Sequence, residues 1–156
     1  MKALTILQPY ASLVAIEAKT IETRSWPTKY RGPLAIHAGK RYLETDDANI
    51  SKAIFEALSV VPRGITYPSI LPFGAVIAIA CLVGCYEIKT IGRKPIDQGG
   101  ERWAMLENDI YVHGDECNFG YYHPGRFAWI LENVRAIAPI EAKGKQGLWN
   151  WDGVVA

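Results

Sequence analysis

Residues 74–86 read GAVIAIACLVGCY and form the most apolar stretch of this chain of 156 residues. Apolar side chains occupy neighbouring positions here, so a strand formed by these residues would be apolar on both faces. Strands of that kind lie in the middle of a sheet, because both of their faces are covered. The segment therefore predicts a central strand, with Ile77 and Ile79 buried.

The segments on either side of this stretch show two kinds of periodicity. Alternation predicts strands, and apolar residues three or four apart predict helices. The predicted strands span 4–6, 20–24, 34–38 and 126–134. The predicted helices span 9–18, 45–58 and 101–107, and loops or connections are expected over 62–72, 88–100 and 108–125. Several strands with few strand–helix–strand spacings favour an α+β fold with a curled antiparallel sheet.

Length and composition indicate an ordinary folded protein. A chain of 156 residues with 49% hydrophobic residues predicts a single domain over 1–156. The longest apolar run, over 73–83, is too short to cross a bilayer, and the first three residues do not resemble a signal peptide. We therefore expect a cytoplasmic protein without membrane contact. The formal net charge of +1 gives no general affinity for nucleic acid, so any such affinity depends on a local patch.

The three cysteines, Cys81, Cys85 and Cys117, include no Cys-x-x-Cys pair. A core of this size does not need a disulfide framework, so we expect free thiols. Cys117 could be combined with His113 and His123 as metal ligands, but that spacing matches no standard zinc pattern. The sequence therefore predicts neither a metal site nor a cofactor.

Residues 19–41 read KTIETRSWPTKYRGPLAIHAGKR and concentrate the positive charge of the chain. Six lysines and arginines stand against one acid, Glu22, so this segment carries +5 while the remaining residues carry −4. Trp26, Tyr30 and His37 lie between these cations. Such a mixture suits single-stranded nucleic acid, because cations bind phosphates and flat rings stack on bases. A polar hairpin whose Trp26 and Tyr30 fill the core is an equal alternative.

Alternation along 20–24 places Glu22 and Arg24 on one face of a strand, where they can form an ion pair. Lys19 precedes the strand and can supply a second cation. The group is interpreted either as part of a ligand site or as a structural ion pair at the mouth of a barrel.

Two residues outside that strand are also candidates. His37 is predicted on the strand face opposite Leu34 and Ile36, where a structural histidine is favoured over an acid–base role. Arg126 follows Pro124-Gly125, and a turn there would direct its guanidinium to solvent or to a phosphate.

Six short segments carry a family resemblance. They are QPYASL at 8–13, KTIETRSWP at 19–27, YRGPLAIHA at 30–38, LPFGAV at 71–76, PGRFAW at 124–129 and GKQGLW at 144–149. In order and spacing they resemble an ASCH domain, a family named for homology to activating signal cointegrator 1. The resemblance covers nearly the whole chain. It implies a PUA-like β-barrel with flanking helices, a cleft beside 19–26 and binding of RNA or DNA.

Some small bacterial ASCH proteins are hydrolases that act on acetylated cytidine or cleave RNA. The acetylcytidine hydrolases resemble this chain around Lys19 and Arg24, but carry a threonine nucleophile three residues after the lysine. Glu22 occupies that position here, and a carboxylate cannot be activated by a lysine as a hydroxyl is. The resemblance therefore implies the cleft of these hydrolases without their nucleophile.

Two functional classes follow, and the first is favoured. The first is a module that binds single-stranded RNA or a flipped or modified nucleotide, through Lys19, Glu22, Arg24, Trp26, Lys29, Tyr30, Arg31 and Arg126. The second is a small hydrolase of ribonuclease or amidohydrolase type, with Lys19, Glu22 and His37 as catalytic residues. A protein-interaction module is a third reading, which an exposed apolar patch would support.

Overall fold

The computed structural model describes residues 1–59 and 71–155. These residues form eight strands, three α-helices and one 3₁₀-helix. In chain order the elements are β1 (Lys2–Gln8), α1 (Tyr10–Ala15), β2 (Ile21–Arg24), β3 (Gly32–Tyr42), α2 (Ala48–Ser59), β4 (Ala75–Arg93), the 3₁₀-helix (Ile96–Gln98), β5 (Arg102–Leu106), β6 (Tyr111–His113), α3 (Asp115–Asn118), β7 (Phe127–Glu141) and β8 (Leu148–Asn150). None of the described helices has the length and apolar character that a bilayer crossing requires.

The apolar strand β4 lies in the middle of the sheet, as its sequence predicts. The strand order is β2-β7-β4-β3-β1-β8, and the distal half of β4 also pairs with β5, which pairs with β6. Ile77 is buried in the main core, but Ile79 is only half-buried. Ile79 packs on the face that the C-terminal segment covers with Trp149 and Trp151.

The α+β class is confirmed, and the sheet is mixed rather than fully antiparallel. Strands β1 and β3 pair in parallel, whereas the other pairs are antiparallel. Parallel neighbours require a crossover connection, which α1 and β2 supply here. The sheet curls into a half-barrel. Its ends meet where the Arg24 guanidinium on β2 donates a hydrogen bond of 2.6 Å to the Thr5 carbonyl on β1.

Two connecting segments differ from the sequence-based expectation. Residues 102–106 form strand β5 rather than a helix, because Ala104 and Leu106 alternate with less buried neighbours and pair with the distal half of β4. Strand β4 therefore continues to Arg93 through part of the expected connection. Within the expected loop at 108–125 lie β6 and α3. Of the loop expected over 62–72, residues 62–70 lie outside the described part of the chain.

Both long predicted helices form, with shifted ends. Helix α1 ends at Ala15, after which Glu17 adopts a left-handed φ of 61° and the Lys19 backbone N–H bonds to the Leu13 carbonyl. Helix α2 begins at Ala48, because the Asp47 carboxylate caps the helix by accepting hydrogen bonds from the backbone N–H groups of Asn49 and Ile50. The turn after α1 returns the chain to the sheet and brings Lys19 beside β2.

Candidate functional site

A cleft of about 390 Å³ opens between β1 and β2, where the two ends of the curled sheet meet. Strand β8 pairs with β1 only as far as Leu4, so the edge of β1 from Thr5 onward is left to line the cleft. The charged and aromatic lining residues are Tyr10, Glu22, Arg24, Arg102, Phe119, Tyr121 and Arg126. Three arginines against one carboxylate give this lining a formal charge of +2. The cleft therefore favours an anionic ligand.

Lys19, Glu22 and Arg24 form one ion cluster on the β2 side of the cleft. Glu22 Oε2 lies 3.4 Å from Lys19 Nζ, and Glu22 Oε1 lies 3.2 Å from Arg24 Nη2. Lys19 is 1% exposed, and its ammonium also donates a hydrogen bond to the Ile21 carbonyl. Glu22 and Arg24 share a face, as strand alternation predicts. They line the cleft, whereas Lys19 supports them from beneath.

Tyr121 and Arg126 form the wall of the cleft beside Thr23 of β2. The Arg126 guanidinium lies 4.6 Å from the centre of the Tyr121 ring, and its Nε donates a hydrogen bond of 2.9 Å to the Tyr121 carbonyl. The Tyr121 side chain is 63% exposed. Thr23 on β2 fixes this wall, since its Oγ1 accepts a hydrogen bond of 3.0 Å from the Tyr121 N–H. The result is an open aromatic ring with a cation held against it, next to Glu22 and Arg24.

Glu116 on α3 holds the free edge of β2. Its carboxylate accepts hydrogen bonds from the backbone N–H groups of Thr20 at 2.9 Å and Ile21 at 3.0 Å, and from the Thr20 hydroxyl at 3.1 Å. Strand β2 pairs with β7 on its other edge. Both edges of this short strand are thus fixed, which positions Glu22 and Arg24.

Tyr10 lines the cleft from helix α1. Burial, and after it the Glu22 carboxylate, raises the pKa of the Tyr10 hydroxyl above its usual value. Buried Gln8 holds the start of this helix, because its amide oxygen accepts a hydrogen bond of 3.1 Å from the Ser12 N–H. Tyr10 therefore presents a neutral hydroxyl near the cluster at neutral pH.

Trp26 lies outside the described lining of the cleft and packs into the core. Its ring meets Trp129 edge to face at 4.6 Å, and its carbonyl accepts a hydrogen bond of 3.3 Å from the Trp129 indole N–H. Trp129 is fully buried on β7. The exposed aromatic ring among the residues that line the cleft is Tyr121 instead.

Lys29, Tyr30 and Arg31 lie in the connection between β2 and β3 and are likewise not among the described residues that line the cleft. The Arg31 guanidinium donates hydrogen bonds to the carbonyls of Thr28 at 3.0 Å and Tyr30 at 2.7 Å. The Tyr30 hydroxyl donates to the Pro33 carbonyl, and its ring packs against the main core. Lys29 and Arg31 are exposed.

His37 is separate from the ion cluster and is buried under the segment that precedes β8. Its Nε2 donates a hydrogen bond of 3.0 Å to the Ala142 carbonyl, and its Nδ1 has no partner among the described residues. Burial lowers the pKa of the imidazole below its usual value, so His37 is neutral at neutral pH. His37 and Glu22 line different cavities.

Metal-ligating residues do not cluster in the part of the chain that the structure describes: no group of three or more His, Cys, Asp or Glu side chains could hold an ion there. Cys117 is buried, its thiol donates to the Val112 carbonyl, and burial raises its pKa to about 11. His113 lies 3.1 Å from Glu101 on the surface. All three cysteines are free thiols.

Comparison with known proteins places the chain in a family. A crystal structure of a mutant of the ZmASCH protein from Zymomonas mobilis is 14% identical to this chain, with a TM-score of 0.48 over 97% of this chain and 90% of that one. No curated protein matches. The family model described as ASCH domain matches residues 4–141, which include every element from β2 to β7. ASCH domains are generally RNA-binding domains of PUA-like fold. The chain belongs to the ASCH domain family.

Proposed function

We propose that this protein binds single-stranded RNA and holds one nucleotide in the cleft between β1 and β2. The observation that carries the proposal is the open ring of Tyr121 with Arg126 against it, in the same cavity of about 390 Å³ as the Arg24–Glu22 ion pair. Cavities of this volume suit a small molecule or a single nucleotide.

Each part of the nucleotide has a counterpart in the cleft. The exposed Tyr121 ring offers a base a stacking surface, and stacking on aromatic rings is how single-stranded nucleic acids are commonly held. Arg102 and Arg126 offer guanidinium groups to phosphate. Glu22 offers carboxylate oxygens to the amino group of a base edge. A paired base cannot reach such a cavity, so the ligand is a single-stranded or flipped nucleotide.

The segment at 28–31 adds contacts to the same RNA strand. Lys29 and Arg31 are exposed cations outside the cleft, and in this proposal they contact phosphates of neighbouring nucleotides. Trp26 and Tyr30 pack against the main core and so anchor that segment.

The ion cluster supports binding more than hydrolysis. Lys19 is 1% exposed and has two acceptors, and Glu22 is paired with two cations. A general base must be within reach of the proton that it takes. Lys19 is buried and bonded to the Ile21 carbonyl and the Glu22 carboxylate, so a ligand in the cleft does not reach it. In this proposal Lys19 is therefore a positioning group and Glu22 a binding group, and neither is a catalytic residue.

Substitution of the stacking ring tests the proposal. We expect Tyr121→Ala to weaken binding of a labelled single-stranded RNA decamer roughly tenfold in fluorescence anisotropy, because one base-stacking surface is lost. The matched control is Tyr111→Ala, since Tyr111 is 60% exposed but lies on β6 outside the cleft. Equal affinities for both variants and the unsubstituted protein would refute the assignment of the cleft.

A further inference from the structure

A second groove, of about 410 Å³, adjoins the cleft across strand β1. Thr5 and Leu7 line both cavities, so the two are continuous along the free edge of β1. The far side of the second groove is formed by the end of β3 and by the segment that precedes β8. We call it the basic groove.

Four cations line the basic groove, namely Lys40, Arg41, Lys143 and Lys145. No acidic side chain lines it among the described residues, and these four cations form no ion pair within residues 1–59 and 71–155. All four are exposed. Three other exposed lysines, Lys52, Lys89 and Lys94, differ because each is paired with a glutamate. The basic groove therefore carries a formal charge of +4 beside a cleft of +2, and Glu141 lies with Lys40 and Lys143 on a different cavity.

The segment that carries Lys143 and Lys145 is anchored rather than loose. The Ala142 carbonyl accepts the hydrogen bond from His37, and the Lys145 carbonyl accepts one of 3.1 Å from the Thr5 hydroxyl. Gly144 packs so closely on His37 that an added Cβ would lie 2.4 Å from the imidazole. These contacts hold in place the backbone that carries the two lysines, in the same groove as Lys40 and Arg41. A fixed set of charges binds an extended anion with less loss of entropy than a mobile tail.

We propose that the basic groove binds the phosphate backbone of the same RNA strand whose nucleotide occupies the cleft, with the strand crossing β1 at Thr5 and Leu7. This inference rests on the proposed function. It adds the path that the RNA strand follows and the requirement for more than one nucleotide. A single nucleotide fills the cleft alone, whereas a longer strand reaches both cavities. The formal charge of +4 and the position beside the cleft favour a polyphosphate chain over an acidic peptide.

The test compares RNA of two lengths on charge-matched variants. Lys143→Ala/Lys145→Ala removes two groove cations, and Lys89→Ala/Lys94→Ala removes two cations from the distal part of β4 and the residue after it. We expect the first variant to bind a single-stranded decamer roughly tenfold more weakly and to bind a trinucleotide within about twofold of the unsubstituted protein. Loss of two phosphate contacts should also lower the slope of log affinity against log salt by about 1.4. The second variant should change neither quantity by as much.

Each other outcome overturns the inference in a distinguishable way. If both RNAs bind and the groove variant matches the control variant, the backbone does not follow the basic groove, and the cleft assignment stands. If the groove variant loses binding of a labelled acidic decapeptide but not of RNA, the groove serves a protein partner. If neither RNA binds the unsubstituted protein, the proposed function fails and this inference fails with it.

Discussion

Glu22→Ala lowers the free energy of unfolding by about 3 kcal/mol, because it leaves Lys19 as an uncompensated buried cation. Lys19 is 1% exposed and lies 3.4 Å from the Glu22 carboxylate. After the substitution only the Ile21 carbonyl remains, among the described residues, as an acceptor for its ammonium. Equilibrium urea unfolding of both proteins measures the difference.

A double substitution separates the buried charge from other effects at this site. Lys19→Met/Glu22→Ala removes both partners, and we expect it to be more stable than Glu22→Ala alone, because no buried charge is left unpaired. If the free energy of unfolding of Glu22→Ala lies within about 0.5 kcal/mol of that of the unsubstituted protein, the ion cluster does not hold the wall of the cleft.

Trp26→Ala lowers the free energy of unfolding by about 2 kcal/mol. This loss is smaller than the loss for a fully buried tryptophan, because Trp26 is half-buried. The lost contacts include its edge-to-face packing on Trp129 at 4.6 Å. Trp26→Phe retains a ring at this position and should lose less. Denaturant unfolding measures both variants.

Binding measured on the same Trp26→Ala sample distinguishes a core role from a ligand role. We expect its affinity for the RNA decamer, per folded molecule, to match that of the unsubstituted protein. Unchanged stability with weaker binding would instead return Trp26 to the ligand site, and Tyr121 would then share the stacking role with it.

The sequence predicts the parts of the fold that depend on neighbouring residues. The uninterrupted apolar run at 74–86 identifies the central strand, and alternation along 20–24 identifies the face shared by Glu22 and Arg24. The helix predicted over 101–107 is wrong, because the alternation there is short and the strand partner is the distal half of β4. Local pattern alone does not reveal such a partner.

The second wall of the cleft is harder to predict for the same reason. Tyr121 and Arg126 reach β2 through non-local contacts: both bond to Thr23, about 100 residues away along the chain, and Arg126 precedes β7, the pairing partner of β2. The aromatic segment before Arg126 is a signal for this wall, since exposed rings beside an arginine suit nucleic acid. Glu116 gives no such signal, because its role is to bond the backbone of β2.

Photo-crosslinking tests the central claim, that one nucleotide occupies the cleft between β1 and β2, most directly. The protein is irradiated with a single-stranded RNA that contains 4-thiouridine, digested with trypsin and analysed by mass spectrometry. We predict a cross-link at Tyr121. It should be lost when an excess of the same RNA without 4-thiouridine is added, and it should be absent from Tyr121→Ala. Cross-links confined to Tyr111 or to residues 25–31, with none at Tyr121, would contradict the claim.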